Sequence, residues 1–191
     1  MKTYRCWELG IEEIKKELFS DFNRYQKVEK CWRKVKGEWV LKDIAFTENW
    51  GPGDFRELTR YLKRTIKSGG GVFGAFSGKG LIGFASLENE FFGSKKEYLQ
   101  LSSLHISTEY RGFGIGKALF NLAAEKAKER RAKKLYISAH SSMETMAFYH
   151  SLGCVEAMEY NPRLVGKEPY DCQLEYRLKE GSDVYNGLCN R

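Results

Sequence analysis

Apolar positions change their spacing along this chain, and the changes mark its elements. Residues 3–7 alternate and predict a first strand. Ile11, Ile14, Leu18, Phe19 and Phe22 recur at three- and four-residue steps, so residues 11–30 read as one or two helices. From Cys31 to Trp50 the pattern weakens, with Trp32, Trp39, Phe46 and Trp50 scattered among charges, and no element is assigned. Gly51-Pro52-Gly53-Asp54 is loop punctuation, with Asp54 as the expected cap of a helix carrying Phe55, Leu58, Tyr61, Leu62 and Ile66. Gly69-Gly70-Gly71 ends it, and the period then falls to two. Residues 72–76 and 81–87 predict a hairpin around Ser77-Gly78-Lys79-Gly80, and residues 98–107 a third strand. A helix over 111–131, a strand over 134–139, a helix over 143–152 and strands over 155–160 and 172–178 complete the series. Antiparallel strands followed by a strand–helix–strand unit imply an α/β (α+β) fold, with a mixed, mostly antiparallel sheet and helices on both faces.

The most informative segment runs from Leu104, His105 and Ile106 through Arg111, Gly112, Phe113, Gly114, Ile115, Gly116 and Lys117. A strand leads into three glycines spaced by two, and these open a helix with Ile115, Leu119, Leu122 and Ala123 on its apolar face. The first turn of a helix offers unpaired N–H groups and partial positive charge, and glycine lets a ligand come close to them. Arg111 and Lys117 add formal charge, so a diphosphate suits the place. The alternative is that the glycines only pack the helix onto its strand. A Walker loop is excluded, because it needs glycine at Arg111 and Ser or Thr at Ala118. The dinucleotide G-x-G-x-x-G pattern fails as well, at Lys117 in one register and at Leu119 in the other. Arg111-x-x-Gly114-x-Gly116 remains.

The preceding strand has a phase problem. Leu99 and Leu101 are odd, Leu104 and Ile106 even, and alternation cannot place all four on one face. An extra residue at Ser102-Ser103 restores the phase, as a β-bulge does, and frees backbone groups for an amide-bearing ligand. A strand buried on both faces is the other reading.

Composition narrows the function. The chain has 191 residues, 42% of them apolar, 14% aromatic and 30% charged, as expected of one globular domain. No apolar stretch approaches a membrane span, and the first residues lack a secretory pattern. Lys and Arg exceed Asp and Glu by 32 − 25 = 7, which suits a phosphorylated ligand or serves solubility. The positive residues are dispersed among acidic ones, so nucleic acid is not expected as a partner. The cysteines Cys6, Cys31, Cys154, Cys172 and Cys189 are odd in number and contain no C-x-x-C. Neither a disulfide framework nor a metal site is expected, and a cytoplasmic location is.

Arg111-x-x-Gly114-x-Gly116 after a bulged strand resembles the acyl-CoA-binding motif of the GNAT superfamily of N-acetyltransferases. The segment from Ser142 through Thr145, Phe148, Tyr149 and Gly153 to Cys154 resembles that family's second motif, a helix ending in Phe-Tyr-x-x-x-Gly. The similarity covers about residues 70–180, and the first predicted helices fit the family's order. Residues 155–161 resemble the streptothricin acetyltransferase branch. The chain departs from the family where Ser142 replaces a frequent Asn, Thr145 an Ala and Cys154 a Phe. The resemblance implies one acetyltransferase domain: residues 1–70 shape the acceptor site, 71–180 form the acetyl-CoA-binding core and 181–191 are a tail. It also allows a homodimer.

The implied reaction moves acetyl from acetyl-CoA to the amine of a small molecule or peptide by direct attack. A non-catalytic CoA sensor with the same fold is the alternative. Leu104, His105, Ile106, residues 111–117, Ser142 and Thr145 would hold the cofactor. A backbone N–H near Leu104 would meet the oxyanion. Tyr149 would protonate the departing thiolate, unless it is a core aromatic. No base is singled out: Glu88 and Glu90 would bind or deprotonate the amine or be solvated loop charges, and His105 would act or simply pack. Lys117, Arg130 and Arg131 would add charge for the phosphates, and Cys154 reads as a core residue. The acceptor is expected between the first helices and the 88–98 loop.

Overall fold

The computed structural model describes residues 3–179; the predicted tail, with Cys189, lies outside them. Strand β1 (Arg5–Glu8) is followed by two 3-10 turns (Ile11–Glu13 and Lys16–Phe19), then β2 (Tyr25–Val35), β3 (Glu38–Asn49) and α1 (Pro52–Lys67). Next come β4 (Gly71–Ser77), β5 (Gly80–Leu87), β6 (Tyr98–Ile106), α2 (Ile115–Glu129), β7 (Lys134–Ala139) and α3 (Met143–Ser151). The short β8 (Val155–Glu156), α4 (Pro162–Lys167) and β9 (Cys172–Arg177) complete it. Seven strands form the main sheet in the order β1-β4-β5-β6-β7-β9-β8, while β2 and β3 pair separately. Every pairing is antiparallel except β6 with β7. The expected α/β (α+β) sheet is therefore present.

Two apolar clusters cover the sheet. On one face Leu119, Phe120, Ala123 and Ala127 of α2 pack with Ala85, Leu99, Leu101 and Leu135. On the other Leu58 and Leu62 of α1 pack with Ile14, Phe19, Val72 and Phe84. Gly83 brings α2 close: a Cβ there would lie 2.7 Å from Ile106 Cδ1 and 3.0 Å from Leu119 Cδ1. The α1 cap differs from expectation. Gly51 is the N-cap, Pro52 the first helical residue, and Asp54 reaches back so that its Oδ2 accepts from Gly51 N at 2.7 Å. Proline suits that position because its missing N–H would have no helical partner.

The largest correction concerns residues 11–50. The expected helices shrink to the two 3-10 turns, and the rest is a β-hairpin. Val28 and Cys31 are both fully buried, three residues apart, beside a bulge in which Glu29 of β2 faces two residues of β3, Ile44 and Ala45. A register break of this kind interrupts strict alternation, and the buried pair then imitates helical spacing. The turn joins Lys36 (φ 52°) to Gly37 (φ 91°), two left-handed residues of the kind tight hairpins use. Between β8 and β9 the predicted strand over 155–160 stops at Glu156, and α4 starts from Asn161, whose side chain accepts from Arg163 N and Leu164 N.

Candidate active site

The bulge occurs where the phase problem placed it. Ser86 pairs with Ser103 and Leu87 with Leu101, so Ser102 is the extra residue. Leu99, Leu101, Leu104 and Ile106 consequently all join the cluster under α2. Strand β6 pairs with β7 only from Tyr98 to Gln100, opposite Lys134 to Tyr136. Beyond that, β6 stays with β5 and β7 with β9, so the two parallel strands part. The gap opens a cavity of about 970 Å³ through the sheet.

On the α2 side its wall holds Leu104, Ile106, Ile115, Thr145, Phe148 and Tyr149. Gly112 (φ 80°) and Gly114 (φ 79°) turn the chain into α2, in a region where a side chain costs about 1–2 kcal/mol. The first helical bond is Ala118 N to Gly114 O at 3.1 Å, so the N–H groups of Ile115, Gly116 and Lys117 have no helical acceptor. A Cβ at Gly112 would meet nothing within 4 Å, and one at Gly114 only Tyr4 Oη at 3.9 Å. Gly116 instead fits against Phe148, which a Cβ would approach to 3.0 Å. Open space before free N–H groups suits an anion. Lys117 lines the same wall.

Arg111 is already engaged: Nε donates to Ile106 O at 3.3 Å and Nη2 to Tyr25 O at 2.8 Å. Arg130 cannot assist, since it closes α2 and donates to Asn89 Oδ1 at 2.8 Å. A 15-residue helix puts it about 22 Å from the turn, and its neighbour Arg131 shares that end. Phe113 is half-exposed and outside the wall. Ser142 is fully buried, caps α3 by accepting from Thr145 N at 3.3 Å, and donates to Thr145 Oγ1 at 2.9 Å. Tyr149 is buried in the wall, edge-on to Phe120 and Phe148. Burial pushes its phenol well above the ordinary range, so it stays protonated. Burial also pushes the Cys154 thiol up to about 12, which keeps it from serving as a nucleophile.

The opposite side is formed largely by residues the sequence did not single out. Arg24, Gln26, Glu48 and Trp50 come from the base of the hairpin, His140 from the end of β7 and Asp171 from the start of β9. Arg24 is 7% exposed; its Nε donates to His105 Nδ1 at 3.1 Å and its Nη2 pairs with Glu48 Oε2 at 3.1 Å. Arg24 Nη1 is the one fully buried side-chain polar atom without a partner among the described residues. His105 packs between Trp50 and Phe84. Burial, with Arg24 and Arg111 nearby, pushes its pKa down to about 3, so the ring is neutral.

The hairpin spans the gap from one parted strand to the other. At its base Thr108 N donates to Asn23 O, and Thr108 Oγ1 to Tyr25 O at 2.9 Å. Midway, Trp32 N donates to Ser141 O at 2.8 Å and Arg33 Nη1 to Ser141 Oγ at 2.6 Å. At the tip, Glu156 accepts from Lys34 Nζ at 2.5 Å, Trp39 Nε1 at 2.9 Å and Tyr160 Oη. The Lys34 ammonium, then Tyr160, hold the Glu156 carboxyl down at about 2.

Neither Glu88 nor any residue of 88–97 reaches the wall. Glu88 is not a solvated loop charge, since its Oε1 accepts from Tyr61 Oη at 2.5 Å, Ser102 Oγ at 2.7 Å and Thr65 Oγ1 at 3.1 Å. Glu90 is exposed, 3.6 Å from Arg163. Among the described residues no group of His, Cys, Asp and Glu could hold a metal ion, and no helix is long and apolar enough to cross a membrane.

A family model described as the acetyltransferase (GNAT) family matches residues 35–154. No curated protein sequence matches the chain. Among solved structures, nourseothricin acetyltransferase superposes with a TM-score of 0.67 at 16% identity, covering 92% of this chain and 99% of that one. A Bacillus anthracis str. Ames protein described as a streptothricin acetyltransferase, solved with acetyl coenzyme A, gives 0.67 and 16%, covering 91% and 96%. The PaiA N-acetyltransferase of Thermoplasma acidophilum, solved with coenzyme A, gives 0.55 and 15%, covering 92% and 99%. At such identities the likeness establishes the fold.

Proposed function

The chain belongs to the acetyltransferase (GNAT) family, and from that premise we propose that it transfers acetyl from acetyl-CoA to the primary amine of a small molecule or peptide, by direct attack in a ternary complex. The observation that carries this reading is the parting of β6 and β7 beside the glycine turn. A strand edge without a neighbour can pair with the amides of an extended ligand arm, and free N–H groups at a helix start can hold its diphosphate. In this site the N–H groups of Ile115, Gly116 and Lys117 and the Lys117 ammonium take the diphosphate. Gly112 and Gly114 leave room for it. Leu104 and Ile106 offer backbone groups along the gap, while those of His105 between them turn to Phe84 on β5, and Thr145, held by Ser142, completes the wall. Arg111 serves by fixing Tyr25, and therefore the hairpin base, against the turn.

Acetyl-CoA supplies an activated acyl group whose leaving thiolate has to be protonated. The N–H of Leu104 meets the charge that builds on the carbonyl oxygen. Tyr149, protonated and in the wall on that side, donates to sulfur. The acceptor approaches from the opposite side, between the hairpin base and β7, rather than beside the 88–98 loop. Calorimetry with acetyl-CoA and thiol release across an amine panel test the reading. The expected outcome is binding with a stoichiometry near one and turnover on at least one amine. No heat of association would remove it, whereas binding without turnover on any amine would favour a non-catalytic CoA-binding module.

A further inference from the structure

We propose that Asp171 is the base of this reaction, taking a proton from the acceptor amine on the side of the gap opposite Tyr149; the proposal rests on the acetyltransferase reading above. Asp171 precedes β9, whose Gln173 and Cys172 pair with Ser138 and Ala139 of β7. These are β7 residues that have lost contact with β6. The Asp171 carboxylate is thereby set at the gap: Oδ2 accepts from Ser138 Oγ at 3.0 Å, and the residue is half-buried in the cavity wall. Ser138 is itself fixed by Gln173 Nε2 at 3.0 Å, and Gln173 Oε1 accepts from the Tyr136 hydroxyl at 2.7 Å. Oδ1 accepts no hydrogen bond from a described residue, which leaves it for a substrate N–H.

The other titratable groups of the wall are less suited. Glu48 is held by Arg24 on one oxygen and faces His140 Nε2 at 3.7 Å with the other. His140 Nδ1 already accepts from Ser142 N at 3.2 Å, and its Nε2 faces the Glu48 carboxylate. His105 Nδ1 is taken by Arg24. Glu144 and Glu168 are exposed at the rim, as is Lys167. The charged and titratable groups facing Asp171 are Glu168 beyond α4, Glu48 on β3, His140 just after β7, Tyr149 on α3 and the neighbouring Cys172. Arg33 on β2 lies over the ring of Tyr170, next in sequence. Burial raises the Asp171 pKa most, Glu168 and Glu48 add to that, and the Ser138 hydrogen bond and His140 oppose it. A base works best when its pKa is moved toward the working pH.

The protons balance. An ammonium gives one proton to the Asp171 carboxylate, and the neutral amine forms the C–N bond as the C–S bond breaks. Tyr149 protonates the thiolate, and the second amine proton restores the phenol. Asp171 releases its proton to water, so one proton is liberated per turnover.

Asp171→Asn and Asp171→Glu test this, using an amine that the wild type acetylates, from about pH 6 to about pH 9. Asp171→Asn should lose about 100-fold in kcat/KM at neutral pH with its acetyl-CoA affinity retained. The deficit should shrink as the amine deprotonates in solution, and Asp171→Glu should recover part of it. A folded Asp171→Asn within about threefold of wild type, or a loss equal at every pH, would overturn the base assignment alone. Should Asp171→Asn fail to fold, the pH profile of Asp171→Glu decides: a displaced acidic limb supports the assignment and an unchanged one overturns it. A wild type that binds acetyl-CoA but acetylates no amine would remove the acetyltransferase reading together with the base.

Discussion

The guanidinium of Arg111 donates from Nη2 to the backbone carbonyl of Tyr25 at 2.8 Å, joining the glycine turn to the first residue of the hairpin. A motif arginine expected to meet phosphate therefore holds the hairpin base against the turn. Arg111→Ala should weaken acetyl-CoA binding by less than its effect on the acceptor, raising the acceptor KM by about tenfold. Calorimetry beside steady-state kinetics separates the two. A change confined to acetyl-CoA affinity would mean that the contact with Tyr25 carries no function.

Gly114 sits at φ 79° with almost nothing in front of it. Gly114→Ala should cost about 1–2 kcal/mol of stability from backbone strain. It should weaken acetyl-CoA binding by a larger factor than nearby surface substitutions do, because the methyl group enters the space before the free N–H groups. Urea unfolding and calorimetry on the same preparation check both parts.

Tyr149→Phe should unfold at nearly the wild-type temperature, since the hydroxyl has no partner to lose among the described residues. Turnover should fall about 100-fold with little change in acceptor KM. Burial holds the phenol protonated beyond its ordinary pKa of about 10, so Tyr149 should add no alkaline limb to the wild-type pH profile. An unchanged kcat would remove it from the mechanism.

His105 should make the protein acid-sensitive. In the fold its ring stays neutral down to about pH 3, whereas in the unfolded chain it takes up a proton below about pH 6.5. The unfolded state then binds more protons, so stability is complete above about pH 6.5 and declines as pH falls toward 3. His105→Asn, whose amide oxygen can still accept from Arg24, should flatten this decline. Urea midpoints at about pH 5 and about pH 7 measure it.

The stretch from Gly71 to Ser151 was legible because its signals are local: a period of two, a glycine-marked turn, and a phase break that a single extra residue at Ser102 resolves. The hairpin was not legible, for two reasons. Its alternation breaks at the register shift between Val28 and Lys30, where Val28 and Cys31 are both buried at helical spacing, and much of its surface faces water or a polar cavity, so alternation had little apolar contrast to work with. One signal was available. Lys36-Gly37 stands between the two strands, but tight turns favour Asn-Gly or Asp-Gly, and lysine concealed it. Asp171, His140, Arg24 and Glu48 are scattered over the chain and meet only because β6 and β7 diverge. No spacing within the sequence encodes that meeting. Asn161-Pro162 did mark a helix start, in a pattern that side-chain capping would have identified.

The hairpin is hydrogen-bonded as a sheet only to itself, apart from a single bridge from Cys31 to Ser142, and the diphosphate-sized seat lies on other elements. Under the proposed reading, substrate choice and donor chemistry lie on different segments of the chain, joined through Arg111 and Tyr25. A lineage could diversify its acceptors by exchanging this one excursion as a cassette, and a laboratory graft of a foreign hairpin between Asn23 and Trp50 would follow the same route.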